Sequence, residues 1–367
     1  MRVLHVINSL AAGGAERMLV DLLPRLGLLD VSCSVLVLDG KDDVFSSQLR
    51  EAGITVEFAR EGQNSPYSPR NIAAIVATIG RHEPDIVHAH LGPSMHWCAI
   101  ASLWARKVVL VTTEHATENR RWSLPLVKQL DAWCYGRYKA IVCVSEDARK
   151  AIELRAPRQA KRLAVIPNGI PLGRMSGAKP APDVVRLLEG RIGIAMTARF
   201  VPAKDHPTAL RALAILHESH ALVMAGDGPE LDGARSLAAE LGLGPRAIFL
   251  GTRNDIPSVL AACRVYLQSS RVEGFGIAAL EAMAAGLPVV ASDAPGLGAL
   301  VDGAGLLFPA GDSGKCAECI GALENGQARD MAIATGMRRA AAHRIEGTAE
   351  KYEGLYGSLL EGPRPNE

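Results

Sequence analysis

Short runs of Val, Ile and Leu alternate with segments of helical period along the whole chain, and this alternation restricts the fold more than any other feature. In the first half the runs are VLHVIN (3–8), SVLVLD (34–39), TVEFA (55–59), DIVHAH (85–90), KVVLVTTEH (107–115), AIVCVS (140–145) and LAVIPN (163–168). Apolar residues at helical spacing fill most of the gaps, as in Ala15–Leu26 and Asn71–Ile79. Near-continuous apolar runs are what a strand covered on both faces requires. Strands alternating with helices build parallel sheets from βα units.

The pattern pauses at Pro167-Asn168-Gly169-Ile170-Pro171, followed by Gly173, Gly177, Pro180 and Pro182, the richest breaker stretch of the middle. A second series then runs through RIGIAMTARF (191–200), ALVMAGDG (221–228), AIFLG (247–251), VYLQSS (265–270) and PVVASD (288–293). The sequence therefore predicts two doubly wound α/β domains, at 1–170 and 191–344, joined by a linker at 171–190. A length of 367 residues suits two domains. Facing domains of this kind place ligands at the carboxyl ends of their strands, in the crevice between them.

Charge and cysteine usage exclude several classes. Lys and Arg total 40 against 39 Asp and Glu, so no global basic field exists to hold a nucleic-acid backbone, and any anion site is local. The seven cysteines are odd in number and scattered, which reads as a reduced, cytoplasmic protein rather than a disulfide framework. Cys316 and Cys319 form a lone C-x-x-C in a helical stretch, without the second pair or nearby His that a metal site needs. The chain passes from Met1-Arg2 straight into a strand, with no signal-peptide pattern. No run of about 18 apolar residues predicts a membrane span. His88 and His90 alternate onto one face of a strand end, but no carboxylate or Cys cluster completes a metal site, so no metal is expected.

The loops that follow the strands carry the chemistry. Gly13 and Gly14 follow the first strand and open a helix, where backbone passes close to a ligand and free N–H groups face an anion; a tight turn would look the same. The loop is neither G-x-G-x-x-G nor a Walker loop, which disfavours a dehydrogenase or an ATP site. After the first strand of the second series, Arg199 and Lys204 place two cations on a loop entering a helix. That suits a diphosphate, Arg forking across two oxygens and Lys supplying a point charge. The most informative segment is Glu273-Gly274-Phe275-Gly276-Ile277-Ala278-Ala279-Leu280-Glu281. Glu273 precedes a helix and Glu281 lies inside it, in an apolar run where an unpartnered carboxylate is expensive. The Gly-Phe-Gly turn offers successive N–H groups beside the helix N-terminus, a cradle for phosphate and sugar hydroxyls.

EGFGIAALE, two Glu eight apart around Gly-Phe-Gly, resembles the signature of glycosyltransferase family 4, retaining enzymes of the GT-B fold. NSLAAGGAER, PDIVHAH, TEH, IVCVSE, VIPNG, ARFVPAKD, VMAGDGPE and AAGLPVVASD fall in that family's order along nearly the whole chain. The resemblance implies two Rossmann-like domains facing across a cleft, the first completed by a C-terminal helix at 345–362. It implies that Glu281 accepts from the donor ribose, that Glu273 sits against the donor sugar, and that Gly274, Phe275, Gly276 and Ile277 line sugar and phosphate. Arg199 and Lys204 would neutralise the leaving diphosphate, Gly13 and Gly14 would lie near donor phosphate and acceptor, and His115 would face the transferred sugar. The base would lie near Thr252, Arg253 and Asn254. The nucleotide-sugar is a substrate, and neither cofactor nor metal is implied. Two departures stand out. Pro171 replaces the usual acidic residue after VIPNG-Ile, and Lys204-Asp205 replaces the commoner Lys-Gly. Either Glu114 or His115 could be the side chain that points at substrate.

All four Trp lie between 97 and 133, and around Trp122, Trp133, Tyr135 and Tyr138 stand Arg120, Arg121, Lys128, Arg137 and Lys139. Basic and aromatic residues interleaved over 119–139 suit the inner face of a membrane or a lipid-diphosphate acceptor. A core helix at 94–105 accounts equally for Trp97 and Trp104. The expected function is transfer of a hexose or N-acetylhexosamine from UDP- or GDP-sugar to a glycan or lipid-linked glycan, in bacterial surface-polysaccharide or lipopolysaccharide synthesis. A nucleotide-sugar epimerase of the same fold and a non-catalytic nucleotide-binding module are the alternatives.

Overall fold

The computed structural model describes residues 1–40, 43–60, 65–105, 107–115 and 125–361, the side chains of 125 and 126 excepted. The chain divides into two compact units: one is Met1–Gly169 with the helix Ile345–Glu361, the other Ile170–Arg344.

The first unit holds seven strands, β1 (Arg2–Ile7), β2 (Ser32–Val37), β3 (Thr55–Phe58), β4 (Ile86–His90), β5 (Val109–Glu114), β6 (Ala140–Cys143) and β7 (Leu163–Val165). They form one parallel sheet in the order β3-β2-β1-β4-β5-β6-β7. Leu4, Val6, Leu36, Val87, Leu110 and Ile141 give it a buried core, as strands covered on both faces require. The C-terminal helix belongs to this unit. Tyr352 and Tyr356 are fully buried on it, their hydroxyls 3.1 Å from Thr113 Oγ1 and 2.6 Å from His88 Nδ1, and Thr348 Oγ1 donates to Pro167 O at 3.1 Å.

The second unit holds β8 (Ile192–Thr197), β9 (His220–Ala225), β10 (Ala247–Phe249), β11 (Val265–Gln268), β12 (Val289–Ser292) and β13 (Leu306–Phe308), parallel in the order β10-β9-β8-β11-β12-β13. Its core includes Ile194, Met196, Leu222, Met224, Leu267 and Val290. β13 was not anticipated from sequence. It is three residues long and hemmed between Gly305 and Pro309, too short to show a pattern.

The expected linker at 171–190 needs correction. It contains the helices Leu172–Met175 and Pro182–Leu188, and Ala181, Val184 and Leu188 pack with Ala221, Val223, Ile248 and Val259 of the second unit. The breakers there shape turns, not a tether. The helix expected at 94–105 also ends early: it spans Gly92–Ala101, and Trp104 lies beyond it, 66% exposed rather than in the core. No helix among the described residues is long and apolar enough to cross a membrane.

Candidate active site

In each sheet the chain winds outward from the first strand in one direction, then returns to start in the other. The reversal lies between β1 and β4 in the first unit and between β8 and β11 in the second. Strand ends at such a reversal are where an open α/β sheet binds its ligands. Gly13, Gly14, Arg199, Lys204 and Glu273 fall at these two places; His115 follows β5, and Thr252, Arg253 and Asn254 follow the edge strand β10.

In the second unit, the loop after β8 carries Arg199 and Lys204, and the loop after β11 carries Glu273. Glu273 Oε1 accepts from Lys204 Nζ, from Gln268 Nε2 and from Ser270 Oγ, the last at 3.0 Å. Both partners of the ion pair are shielded, the side chains being 24% and 11% exposed for Lys204 and Glu273. The Arg199 side chain is exposed and makes no hydrogen bond or ion pair among the described residues.

The loop backbones are locked to one another. Phe200 N donates to Asp227 O at 2.9 Å and Gly226 N to Gly251 O at 2.8 Å. A Cβ at Gly228 would stand 2.4 Å from Phe200 O, so only glycine permits this approach. Gly296, at φ +79, presses on the Glu273 loop, where a Cβ would lie 2.3 Å from Glu273 O and 2.7 Å from Gly274 O. Asp205 takes φ +50 at the N-cap of the helix His206–Ile215, which explains why glycine is the commoner residue there. Aspartate is held in this conformation by its side chain: Oδ2 accepts from Thr208 Oγ1 at 2.8 Å and from Arg271 Nε at 3.0 Å. The departure from Lys-Gly thus keeps the loop geometry.

Phe275 and Gly276 lead into the helix Ile277–Ala284, with Gly276 as N-cap at φ +96. Glu281 is buried within that helix and accepts from Arg174 Nη2. Arg174 comes from the stretch expected to be a linker, so it was missed from sequence, and its basic charge beside the Pro171 departure was the only signal. Thr252, Arg253 and Asn254 follow β10. Arg253 is committed to a double ion pair, 2.6 Å from Asp183 Oδ2 and 2.7 Å from Asp255 Oδ2, which shapes the loop and occupies its guanidinium.

In the first unit, Gly13 caps the helix Gly14–Gly27, and the Glu16 carboxylate folds over it: a Cβ on Gly13 would meet Glu16 Oε2 at 2.2 Å. At the end of β5 the two candidates separate. Glu114 Oε1 accepts from Tyr135 OH at 2.8 Å, and burial pushes its carboxyl up. His115 Nε2 instead lies 3.4 Å from His90 Nδ1, and burial lowers its pKa to about 4, so it is neutral near pH 7. His5 and His90, missed as partners of His115, are fully buried and joined at 3.0 Å. All seven cysteines are free, and burial raises the Cys316 thiol, which leaves the C-x-x-C without a reactive thiolate.

Residues 12–174 match the family described as "Glycosyltransferase Family 4", and residues 181–339 match "Glycosyl transferases group 1". The chain is 27% identical over 308 residues to the putative glycosyltransferase EpsF of Bacillus subtilis, covering 80% of this chain and 79% of that one. It is 26% identical to a UDP-Gal:alpha-D-GlcNAc-diphosphoundecaprenol alpha-1,3-galactosyltransferase of Escherichia coli, over 63% of this chain and 64% of the relative. Among solved structures, Anabaena Alr3699/HepE in complex with UDP-glucose superposes with a TM-score of 0.83 at 25% identity, covering 98% of this chain and all of that one. The chain belongs to glycosyltransferase family 4 and is a sugar-nucleotide-dependent glycosyltransferase with the two Rossmann-like domains of the GT-B fold.

Proposed function

We propose that the enzyme transfers a hexose or N-acetylhexosamine from a UDP-sugar, with retention at the anomeric carbon, to a lipid-linked glycan in surface-polysaccharide synthesis. The observation that carries the reading is the pairing of Lys204 with Glu273 at the reversal of the second sheet, beside an unengaged Arg199. Breaking the sugar–phosphate bond builds negative charge on the diphosphate. Arg199, Lys204 and the N–H groups of the Gly274–Ile277 turn are fixed donors that stabilise it. Glu281 receives the ribose hydroxyls, Glu273 holds the donor sugar, and His115 donates to a hydroxyl of the transferred sugar. UDP is favoured as the carrier because the HepE structures bind UDP and UDP-glucose, and the Escherichia coli relative uses UDP-galactose with a diphosphoundecaprenol acceptor.

A lipid-linked acceptor also fits the surface of the first unit. Leu103, Trp104, Leu130 and Trp133 are exposed, and exposed Lys107, Lys128 and Lys139 accompany them. Apolar rings beside lysines suit an anionic membrane surface. Arg120, Arg121 and Trp122 of the expected membrane segment lie outside the described residues, and Arg137, though exposed, donates Nε to Ser102 Oγ at 3.2 Å.

The test is the melting temperature with UDP, GDP, ADP or NAD, for the parent and for Arg199→Ala. A ligand that binds only the native state stabilises it by about 2.7 kcal/mol at a hundred times its Kd. The expected outcome is a shift with UDP that needs roughly ten- to a hundredfold more ligand in Arg199→Ala, the worth of a charged hydrogen bond. A shift with GDP or ADP alone would overturn the UDP assignment. No shift with any diphosphate would overturn the donor site itself.

A further inference from the structure

Three buried rings lie together on β1 and β4 of the first unit: His5, His88 and His90, one nitrogen of each within 4.8 Å of the others. Such a triad suggests a metal, but the rings lie close against one another, two of the three pairs tilted. His5 and His90 are 5.3 Å apart at 18°, and His88 and His90 are 4.1 Å apart at 31°. Hydrogen bonds use the nitrogens already. His88 Nδ1 and Nε2 meet Tyr356 OH at 2.6 Å and Thr113 Oγ1 at 2.7 Å. His90 Nε2 meets His5 Nδ1 at 3.0 Å, and His90 Nδ1 meets His115 Nε2 at 3.4 Å. Of the nitrogens of these three rings, only His5 Nε2 is buried without a partner among the described residues.

These contacts form a chain, His5–His90–His115, that ends at the residue assigned to the transferred sugar. A neutral imidazole has one donor and one acceptor nitrogen, so the whole chain runs in one of two directions. Run from His115 inward, it would leave an N–H on His5 Nε2, fully buried with nothing to receive it. Run from His5 outward, His5 Nε2 keeps a bare lone pair. Buried orphan N–H groups are rarer than under-satisfied acceptors, which favours the second direction.

We infer that His5 and His90 are positioning residues that fix His115 as the Nδ1–H tautomer, so that its Nδ1 is a standing donor for a sugar hydroxyl or glycosidic oxygen. His5 Nδ1–H donates to His90 Nε2, and His90 Nδ1–H donates to His115 Nε2. His115 Nδ1 is left with the proton and has no partner among the described residues. His88 stands outside the chain, satisfied by Tyr356 and Thr113. The role of the donated bond rests on the glycosyltransferase reading proposed above; the tautomer does not.

The experiment is a long-range proton–nitrogen NMR spectrum of the full protein labelled with 15N-histidine, with the His115 signals assigned through His115→Gln and no donor present. The expected spectrum shows His115 protonated on Nδ1 and bare on Nε2. His90→Phe and His5→Phe should each return it toward the Nε2–H form. His90→Asn should restore Nδ1–H, because the Asn amide nitrogen lies where imidazole Nδ1 lies. With UDP-sugar, His90→Phe should lose about tenfold in kcat, the worth of one hydrogen bond, with KM for the donor little changed and recovery in His90→Asn. An Nε2–H tautomer in the parent, or an Nδ1–H tautomer that persists in His90→Phe, would overturn the inference. So would stoichiometric Zn²⁺ shifting the His5, His88 and His90 signals together. Loss of nucleotide binding in the melting assay would overturn the functional reading while leaving the NMR result standing.

Discussion

Replacing the Glu273 carboxylate should tighten nucleotide binding while it harms turnover. Lys204 Nζ is bound to Glu273 Oε1, and the reading above gives the same ammonium to the donor diphosphate. Two oxygens that share one ammonium, each about 2.8 Å from it along tetrahedral N–H directions, sit roughly 4.6 Å apart. Two unit charges at that distance repel by about 3.6 kcal/mol at an effective dielectric of 20. Lys204 is a quarter exposed and Glu273 about a tenth, so solvent screens part of this, leaving about 1–1.5 kcal/mol. Glu273→Gln keeps an oxygen for Gln268 and Ser270 and removes the charge. UDP should therefore bind the variant roughly tenfold tighter in titration calorimetry, since 1.36 kcal/mol is one decade. Release of UDP from the UDP-sugar in the presence of acceptor should fall, because the sugar loses its carboxylate. Unchanged or weaker UDP binding, in a variant that melts within a few degrees of the parent, would refute the shared-ammonium reasoning.

Three further outcomes are expected. Gly296→Ala, placing a Cβ 2.3 Å from Glu273 O at φ +79, should cost about 2–4 kcal/mol and displace the Glu273 loop. Gly303→Ala, at φ +68 with open space, should cost only the left-handed strain of about 1–2 kcal/mol; equal losses in melting and equal turnover would count against the contact. Acidification should unfold the protein early. Burial lowers His5 to about 3 and, joined by the nearby Lys204 charge, His206 to about 4, so the unfolded chain binds these protons first. Their contribution is full above pH 6.5 and is lost as pH falls toward those values, by about 1.4 kcal/mol per pH unit for each histidine; a urea midpoint constant from pH 7 to 5 would sink this. Lys107→Glu with Lys128→Glu should abolish sedimentation with anionic vesicles, and absence of binding by the parent would remove the membrane reading.

The architecture was legible because parallel strands covered on both faces must be apolar runs, and twelve such runs stood clear of their helices. β13 did not, since three residues between Gly305 and Pro309 carry no period. The same limit applied to 171–190, where Gly and Pro read as a tether. Of its apolar positions, Val184 and Leu188 are buried by a sheet that sequence alone does not bring near.

The site was legible as far as residue type and position after a strand could take it. Glu273 and Glu281 are conspicuous because a carboxylate in an apolar run needs a partner; which partner is a tertiary fact. Lys204 is 69 residues from Glu273 and Arg174 is 107 from Glu281. The Glu114–His115 ambiguity shows the reason most plainly. Neighbours at a strand end point to opposite sides, so sequence can say that they diverge but not which side holds the site. Packing decides it: Tyr135 takes one side and binds Glu114 through its hydroxyl, while His90 takes the other and meets His115. The alternation of His88 and His90 onto one face was visible from the start. What converts it from a metal-like pattern into a hydrogen-bonded chain is His5, 85 residues from His90 in sequence and placed beside β4 only because the sheet reverses there.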